Sequence, residues 1–343
     1  MNFSKTLTTW YLENKRDLPW RKTTNPYLIW LSEIMLQQTR VAQGLPYYMA
    51  FTEEFPTVLD LANASEEKIL KLWQGLGYYS RARNLHATSK HIAENLNGIF
   101  PQDYKNLLKL KGVGEYTAAA IASFSYNEVV PVVDGNVFRV LSRYYNIETD
   151  IASAKAKKEF TLLAQEVISK DNPALFNQAI MEFGALQCVP KNPNCNICPL
   201  NTSCAALSLK KVNELPIKSK KAKAKKRFLN YLFILDDKNN TIINQRTAKG
   251  IWHNLYEFPL VETEILETEN TVLDLIQNKF DDIFEIILME TETIIHKLTH
   301  QHLYIKFWKI NRKTTLENGL DFESLNKFPF PIVIHNFIEN NKF

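Results

Sequence analysis

The spacing of apolar residues divides the chain into two parts that have different periods. Through about residue 210, apolar side chains recur every three or four positions, as at Leu28, Leu31 and Met35, and this period is typical of amphipathic helices. In the later stretch HLYIKFWKI, apolar residues occupy every second position, which is typical of a strand. The pattern therefore predicts an all-α N-terminal region followed by an α+β domain.

Glycines and capping residues mark where these elements begin and end. Gly75 and Gly77 interrupt one helical pattern, and Ser65 precedes it as a candidate N-cap. The stretch LKGVG, residues 110–114, is a glycine turn between a helix and an Ala-rich helix whose small residues permit close packing. Further along, RFLNYLFILDD and TIINQR flank the turn signal KNN and predict a hairpin.

A basic block, KSKKAKAKKR at 218–227, separates the two patterns and holds seven cations in ten residues. Such a block repels itself, so we expect a linker that is either a solvated tether or a phosphate contact. The predicted boundaries are 1–215 for the helical region, 216–227 for the linker and 228–343 for the second domain.

Charge is distributed unevenly between the two parts. Residues 1–227 carry 30 Lys and Arg against 20 Asp and Glu, whereas residues 228–343 carry 11 against 17. A basic first part favours a polyanionic partner such as nucleic acid, although a solvated basic surface gives the same count. The sequence contains no apolar run long enough to span a membrane and no signal-peptide core, so we expect a cytoplasmic protein with no membrane partner.

All four cysteines lie within 17 residues, at Cys188, Cys195, Cys198 and Cys204. In a reducing compartment this clustering indicates a metal centre and not disulfides. Structural zinc usually uses two short C-x2-C pairs, and this stretch contains only one. The wider spacing favours a [4Fe–4S] cluster over zinc, and a role in holding the surrounding loop is the simpler interpretation.

Three other polar or aromatic side chains stand in unusual surroundings. Glu33 is flanked by apolar residues on its helix, and partial desolvation would raise its pKa enough for it to act as an acid near neutral pH. Asp134 follows two valines and precedes a helix, so it is an N-cap, a stabiliser of a developing cation, or both. Tyr78 follows a Gly-Leu-Gly turn, which suits either a core tyrosine or a wedge into a base stack.

The turn at Gly112 and Gly114 brings the backbone N–H groups of a following helix start to the surface. Those groups can bind a phosphate of a DNA backbone without reading bases. A G-x-G turn alone is weak evidence, because many helical hairpins contain one.

Taken together, these residues resemble the helix-hairpin-helix DNA glycosylases and, among them, the A/G-specific adenine glycosylases of the MutY family. The stretches that carry the resemblance run in order through most of residues 18–204: LPWR, WLSEIMLQQT, GLGYYSRARNLH, LKGVGEYTAAAI, VVDGNVFRVLSR and the cysteine quartet. The resemblance implies an all-α helix-hairpin-helix catalytic region with a [4Fe–4S] cluster loop. Its six-helix part covers about 24–130, and its cluster part covers 1–23 and 131–210.

The resemblance implies base excision repair of double-stranded DNA that carries adenine opposite 8-oxoguanine or guanine, by a protein expected to be monomeric. Glu33 matches the general acid that protonates the leaving adenine, and Asp134 matches the carboxylate that stabilises the sugar cation. Tyr116 and Asn136 match supporting residues of that site. Residues that match contacts to adenine or to the lesion strand are Trp20, Arg21, Leu36, Gln37, Gln38, Thr39, Leu76 and Tyr78.

Tyr116 distinguishes two related reactions. Relatives that resemble endonuclease III carry a lysine at this position, whose amine attacks the sugar and leads to strand cleavage. A phenol has no such route, so the resemblance predicts a monofunctional glycosylase that leaves an abasic site.

The second domain resembles the Nudix-like 8-oxoguanine recognition domain of the family. It lacks the Nudix catalytic box, so we expect it to bind and not to hydrolyse. Its lesion-reading loop usually reads Phe-Ser-His, and here it reads Leu298-Thr299-His300, which keeps a hydroxyl and the histidine but loses the aromatic ring.

Two other function classes remain open at this point. One is a bifunctional glycosylase/lyase, which would need a lysine at Tyr116 and would be trapped on DNA by borohydride. The other is an iron–sulfur protein that binds DNA without catalysis, in which Glu33→Gln would change nothing.

Overall fold

The computed structural model describes residues 2–219, 224–277, 283–289 and 292–341. The chain folds into two compact units. The first unit comprises Met1–Asn63 and Asn84–Lys220, and the second comprises Ala64–Arg83 and Lys221–Phe343. The domain boundaries inferred from the sequence stay a prediction; residues 64–83, which they assign to the helical region, group with the second unit in the structure.

The first unit is built from helices, as the apolar period predicts. Its helices are α1 (Phe3–Asn14), α2 (Pro26–Leu36), α3 (Val41–Glu54), α4 (Val58–Asn63), α6 (Ser80–Asn95, which begins in the second unit), α7 (Tyr104–Leu107), α8 (Glu115–Tyr126), α9 (Gly135–Tyr145), α10 (Ala154–Val167), α11 (Pro173–Leu186) and α12 (Ala205–Ser208). Within the described residues, no helix is both long and apolar enough to cross a membrane.

Short polar side chains define where several helices begin. Asn25 accepts a hydrogen bond from the N–H of Tyr27 at the start of α2, and Pro26 occupies the first helical position, where its missing N–H costs nothing. In the second unit, α5 (Glu66–Leu72) is capped by Ser65, which accepts a hydrogen bond from the N–H of Lys68. This confirms the predicted cap, and the helical pattern is interrupted at Gly75 and Gly77 as expected.

The core of the first unit gathers around α1, α9, α10 and α11, where Leu7, Leu141, Phe160 and Phe176 are fully enclosed. The Ala-rich helix α8 is buried all round its middle, with Ala118 to Ala122 at 2% exposure or less. Small side chains let α8 approach α2 closely, so the residues that α2 carries at its centre are shielded from water.

A mixed sheet forms the centre of the second unit. Its strands run in the order β4-β1-β7-β5, and β6 also pairs with β7. The strands of the unit are β1 (Lys225–Leu235), β2 (Asn244–Gln245), β3 (Tyr256–Glu257), β4 (Leu260–Thr263), β5 (Ile283–Leu288), β6 (Ile294–Lys297) and β7 (Gln301–Arg312). β1 and β7 are parallel, the other pairs of this sheet are antiparallel, and β2 pairs with β3 in a separate ribbon.

Both faces of this sheet are covered. On one face, Ile234, Trp308 and Ile310 pack with Val272 and Ile276 of helix α13 (Glu269–Gln277). On the other face, Phe307 stacks on Phe337 of helix α15 (Ile332–Asn340), with ring centroids 3.9 Å apart. A further short helix, α14 (Phe322–Leu325), precedes α15. The alternation along β7 is therefore confirmed, and its second face is apolar because α13 covers it.

Two expectations for the start of this unit were wrong. The predicted hairpin does not form as a ladder: only a single bridge joins Leu235 to Thr241, and β1 pairs with β4 and β7 instead. The predicted chain reversal does form, since Asp236 accepts hydrogen bonds from the N–H groups of Lys238 and Asn240. The pairing stops at this bridge, and Thr241 also bridges Leu320.

The predicted linker also ends earlier than expected. Its last three residues, 225–227, form the start of β1, because Arg227 is held by Glu262 at 2.6 Å and the backbone pairs with residues 301–303 of β7. Residues 220–223 of the predicted linker lie outside the described residues.

Candidate active site and cysteine site

Glu33 lies at the centre of α2 and is almost completely buried. Its neighbours on the helix, from Ile29 to Met35, are buried as well, and Glu33 itself is 7% exposed. Burial raises the pKa of Glu33 to about 7, helped by the charge of Asp134 and opposed by a hydrogen bond from Tyr116 and by the charge of Arg21. The rise expected from the sequence is therefore confirmed, and Glu33 can donate a proton near neutral pH.

Asp134 caps the N-terminus of α9. Its Oδ1 accepts hydrogen bonds from the N–H groups of Asn136 and Val137, both at 2.8 Å, and its Oδ2 accepts one from Asn136 Nδ2 at 2.8 Å. Burial raises the pKa of Asp134, and these hydrogen bonds together with the charge of Arg139 oppose that rise. The N-cap role inferred from the sequence is confirmed, and the capping carboxylate also lines a cavity.

Tyr116 joins the two carboxylates. It is the second residue of α8, and its hydroxyl donates a hydrogen bond to the carboxylate of Glu33. Burial and the charges of Glu33 and Asp134 raise the pKa of Tyr116 well above its usual value, so the phenol stays protonated and remains a donor. Three elements distant in sequence therefore place an acid, a phenol and a second carboxylate together.

These side chains line a cavity of about 190 Å³ in the first unit. Glu33, Tyr116, Asp134 and Asn136 all contribute to it. Four other residues predicted from the sequence lie on its wall: Trp20, Arg21, Leu36 and Thr39. Its size and its mixture of an aromatic ring, charged groups and apolar groups suit a flat heterocycle.

Glu182 is a site residue that the sequence pattern did not reveal. It lies on α11 at 1% exposure and lines the same cavity. Arg21 and Arg16 each donate to both of its oxygens, at 2.6–2.9 Å. Burial alone would raise the pKa of Glu182, but these hydrogen bonds lower it to about 2. The sequence did contain a signal for Glu182, namely a charged residue inside the apolar stretch ALFNQAIMEFGAL. Glu33 was identified by the same kind of signal.

A larger groove, of about 1230 Å³, opens beside this cavity and shares Glu33, Tyr116 and Asp134 with it. Gln37 and Gln38 also line the groove, as does Gly114. Gln37 donates to the hydroxyl of Thr117 at 3.2 Å, and Gln38 adopts a left-handed backbone with φ 57° at the end of α2. A long groove that leads to an enclosed cavity permits a polymer to bind while a single unit of it enters.

The glycine hairpin before α8 has the geometry that the sequence predicts. Gly112 has φ +76°, and a Cβ on it would lie 2.7 Å from the Cβ of Asn84. Glycine adopts a positive φ freely and has no Cβ, so it is the residue that fits this position without strain. Gly114 stands at the N-cap of α8, is exposed, and has open space where a Cβ would lie.

Arg139 links the Asp134 site to the cysteine segment. Its Nη2 donates to Asn136 Oδ1 at 2.8 Å and to the carbonyl of Gly184 at 2.6 Å, while its Nε donates to the carbonyl of Cys188 at 2.7 Å. The amide that orients Asp134 is therefore itself held by a guanidinium anchored on the first cysteine.

The four cysteines are free thiols that line one cavity together with apolar side chains, among them Val140, Phe183 and Leu200. Arg143 donates to Cys188 Sγ at 3.4 Å and to the carbonyls of Val189 and Pro190. Burial raises the pKa of Cys198 to about 11 and also raises those of Cys195 and Cys204. These thiols therefore need a compensating positive centre before they ionise.

The four thiols supply a donor set that fits a [4Fe–4S] cluster. Within the described residues, no group of three or more His, Cys, Asp or Glu side chains is arranged to hold a metal ion. Four thiols around one shared apolar cavity provide the ligand number and type that a [4Fe–4S] cluster requires.

The remaining predicted residues lie in the second unit. A cavity of about 710 Å³ is lined by Tyr78, Leu298, Thr299 and His300. The hydroxyls of Tyr78 and Thr299 are 2.7 Å apart, a contact that no local sequence pattern predicts. Leu76, in contrast, is buried at 4% exposure.

Comparisons with known proteins agree with this architecture. The model of the HhH-GPD superfamily of base excision DNA repair proteins matches residues 31–166, and the NUDIX domain model matches residues 230–340. These matches confirm the predicted fold class, a helix-hairpin-helix glycosylase region followed by a Nudix-like domain.

Similarity to characterised proteins extends along most of the chain. The adenine DNA glycosylase of Buchnera aphidicola subsp. Baizongia pistaciae (strain Bp) is 38% identical over 317 residues, covering 92% of this chain and 88% of the relative. That of B. aphidicola subsp. Acyrthosiphon pisum (strain APS) is 33% identical over 355 residues, covering 98% of both. A solved thermostable thymine-DNA glycosylase aligns with a TM-score of 0.55 at 27% identity, over 60% of this chain and 95% of that one.

Proposed function

The chain belongs to the adenine DNA glycosylase family, and we propose that it hydrolyses the N-glycosidic bond of adenine paired with 8-oxoguanine or guanine and leaves the strand uncut. It is a DNA N-glycosylase of base excision repair. The observation that carries the proposal is the single cavity shared by Glu33, Tyr116 and Asp134.

Glu33 supplies the proton. With a pKa of about 7, a large fraction of it is protonated near neutral pH, whereas an ordinary glutamate would be fully ionised. Transfer of this proton to N7 of an extruded adenine makes the base a better leaving group, and the bond between C1′ and N9 then breaks. The carboxylate left on Glu33 can accept a proton from the water that attacks the sugar.

Asp134 stabilises the positive charge that develops on the sugar. It already accepts three hydrogen bonds, which hold both of its oxygens in place before any substrate arrives. A fixed negative charge in a partly dry cavity interacts strongly with an oxocarbenium-like centre. Asn136 acts on this step indirectly, since its amide orients Asp134.

Hydrolysis without strand cleavage follows from the phenol at Tyr116. The cavity of about 190 Å³ has no lysine among the described residues that line it, and a phenol whose pKa is raised is a poor nucleophile. Water is therefore the nucleophile, and the products are free adenine and an abasic site.

The cavity wall offers contacts that suit adenine. Trp20 provides an aromatic surface at 8% exposure, and it meets Tyr48 edge-on with ring centroids 5.1 Å apart. Arg21 and Glu182 provide fixed donors and acceptors at the far side of the cavity. Leu36 and Thr39 complete the wall, and Gln37 and Gln38 line the adjoining groove, where they would meet the DNA strands.

The N–H groups that follow Gly112 and Gly114 bind a DNA phosphate. The hairpin leaves the first turn of α8 open, and the excess of cations in residues 1–227 favours a polyanion. Similarity to DNA glycosylases over most of the chain supports DNA binding.

The second unit reads the base opposite adenine. Tyr78 is half exposed and acts as a wedge in the base stack, while Thr299 and His300 offer polar groups to 8-oxoguanine. Leu298 replaces the usual aromatic residue with an apolar contact. Because the Nudix catalytic box is absent, this unit binds and does not hydrolyse nucleotides.

A [4Fe–4S] cluster is held by Cys188, Cys195, Cys198 and Cys204. When bound, it cross-links the four thiols and supplies the positive centre that lets them ionise. Arg143 already donates to Cys188 Sγ, and Arg139 anchors on the carbonyl of the same residue, so the chain's own residues tie this segment to the Asp134 site. We further propose that the protein is monomeric and cytoplasmic, associated with the nucleoid through DNA.

Product analysis on defined duplexes tests the proposal. Duplexes with adenine opposite 8-oxoguanine should yield alkali-labile sites at the adenine, duplexes with adenine opposite guanine should yield them more slowly, and duplexes with adenine opposite thymine should not. Borohydride should trap no covalent complex. A trapped complex would show a lyase instead, and absence of adenine release from the holoenzyme would contradict the proposal.

A further inference from the structure

The loop between α5 and α6 carries Tyr78 in a backbone conformation that its side chain disfavours. Gly75, Gly77 and Tyr78 have φ values of 94°, 78° and 51°, all in the left-handed region. Glycine adopts this region freely, but a tyrosine does so only where surrounding contacts hold it. Tyr78 therefore needs a neighbouring group that keeps it in place.

Arg81, in the first turn of α6, contacts both the backbone before Tyr78 and the ring of Tyr78. Its Nη2 donates to the carbonyl of Gly77 at 3.0 Å and to that of Leu76 at 3.4 Å. Its guanidinium lies 5.4 Å from the ring centroid of Tyr78 and 5.3 Å from that of Trp73. Both distances are within the range of a cation–π interaction, so one guanidinium contacts both rings.

The rings of Trp73 and Tyr78 differ in their exposure to solvent. Trp73 is fully buried and Arg81 is 8% exposed, whereas Tyr78 is 46% exposed. Burial lowers the pKa of Arg81 to about 10, so the guanidinium remains charged at neutral pH. A buried cation fixed on a buried indole therefore supports the underside of an exposed ring.

Other contacts fix the base of the loop. Trp73 Nε1 donates to the carbonyl of Gly77 at 3.0 Å, and the hydroxyl of Tyr79 accepts from the N–H of Gly75 at 3.3 Å while donating to the carbonyl of Phe330 at 3.2 Å. Arg81 is the side chain that contacts both the loop backbone and the exposed ring.

We propose that Arg81 is a positioning residue that holds Tyr78 as a rigid wedge for insertion beside the mispair. The inference rests on the proposed function, in which Tyr78 enters the base stack. A ring that pushes bases apart must resist folding back, and preorganisation removes the ordering cost from the insertion step. Arg81 acts through Tyr78 and touches no substrate itself.

A double-mutant cycle tests this proposal in the holoenzyme. Adenine release from an adenine/8-oxoguanine duplex is measured under single-turnover conditions for wild type, Arg81→Met, Tyr78→Ala and the double variant. In parallel, 2-aminopurine placed next to the 8-oxoguanine reports unstacking by its fluorescence. Lys90→Met is the matched control, because it removes one exposed cation from the same helix.

We expect Arg81→Met to slow adenine release by about tenfold in the wild-type background and to abolish most of the fluorescence rise. On the Tyr78→Ala background it should slow release by less than about twofold, because the ring it supports is gone. Arg81→Lys should fall between wild type and Arg81→Met, since it keeps the charge but loses the planar fork. Lys90→Met should behave as wild type.

An equal loss in both backgrounds, or no loss in the wild-type background, would overturn the proposal and make Arg81 structural only. If Arg81→Met shows no cooperative unfolding transition, the cycle is repeated with Arg81→Lys. The loss of rate in the wild-type background is again compared with the loss in the Tyr78→Ala background. Lack of adenine release by wild type would instead count against the proposed function, so the two failures are distinguishable.

Discussion

Burial raises the pKa of both Glu33 and Asp134, but the groups that oppose this rise differ between the two. Glu33 is enclosed by apolar side chains, and burial raises its pKa to about 7. Asp134 is also enclosed, but three hydrogen-bond donors and the charge of Arg139 favour its ionised form. Glu33 can therefore donate a proton, while the donors around Asp134 support its anionic form, and glycosidic bond cleavage uses one carboxyl group of each kind.

Burial of Glu33 should destabilise the folded protein at high pH. A group whose pKa is raised from 4.5 to about 7 binds more protons in the folded state, so stability is lost as the pH rises through that range, by up to about 3 kcal/mol. We expect Glu33→Gln to raise the free energy of unfolding at pH 8 much more than at pH 5. Denaturant unfolding at the two pH values measures this. An equal change at both values would show that Glu33 titrates normally.

The same pKa should appear in catalysis. If protonated Glu33 is the acid, the rate constant of adenine release should fall as the pH rises above about 7, by roughly tenfold per pH unit when chemistry limits the rate. Single-turnover rates between pH 6 and 9 on an adenine/8-oxoguanine duplex check this. A rate that stays constant over that range would assign the proton to another group.

At the scale of elements, close approach of α11 to the start of α9 sets the position of Asp134. A Cβ at Gly184 would lie 2.6 Å from the Cβ of Asn136 and 3.0 Å from its carbonyl oxygen. Arg139 bridges the same junction through the carbonyls of Gly184 and Cys188. The junction therefore couples the cap of α9, the end of α11 and the cysteine segment.

Gly184→Ala should disrupt this junction. In an unconstrained helix, alanine would be more stable than glycine, so a loss of stability reports the clash itself. We expect the free energy of unfolding to fall by about 1–3 kcal/mol and adenine release to slow, because Asn136 is displaced from Asp134. Gly135→Ala is the control for stability, since a Cβ there meets no atom within 4 Å. Unchanged stability of Gly184→Ala would mean that the helices can separate freely.

The sequence revealed groups whose surroundings are local and missed those whose partners are distant. Glu33 was identified by the apolar residues beside it on α2, and the hairpin glycines by their own spacing. Glu182 carries the same local signal, but its role depends on Arg16 and Arg21, which are more than 160 positions away. No local pattern predicts that juxtaposition.

The sequence-based prediction of strand pairing was incomplete for the same reason, because the partners are distant in sequence. The period of two in β7 was visible, yet the parallel pairing that places Lys225 opposite Gln301 depends on a register set across the intervening chain. The local turn signal KNN correctly predicted a chain reversal, which the bond from Asn240 to Asp236 closes, but not that β1 would pair with β4 and β7 and that Thr241 would also bridge Leu320. Contacts between residues that are distant in sequence therefore determined the strand pairing, which local propensity does not specify.

At the scale of the whole molecule, charge is distributed unevenly along the sequence. Residues 1–227 carry 30 basic against 20 acidic residues, and residues 228–343 carry 11 against 17. In the proposed function, the N-terminal part makes most contacts with the phosphate backbone, and the C-terminal part reads a base through polar groups such as Thr299 and His300.

This division predicts a strong dependence of DNA affinity on salt. Each phosphate contact releases counterions, so affinity for an undamaged duplex should fall at least about tenfold between 50 and 200 mM salt. Fluorescence anisotropy with a labelled duplex measures the slope. Thr299→Val should leave this slope unchanged, because it removes no charge. An affinity that is insensitive to salt would contradict the assignment of the basic surface to phosphate binding.

The most direct test of the central claim is the rate constant of adenine release by Glu33→Gln in a single turnover on an adenine/8-oxoguanine duplex. Glu94→Gln, which changes an exposed carboxylate on α6, serves as the control. We predict a loss of at least about 100-fold for Glu33→Gln with duplex affinity within about threefold of wild type, and no loss for Glu94→Gln. Release by Glu33→Gln at the wild-type rate would show that the buried carboxyl group is not the acid.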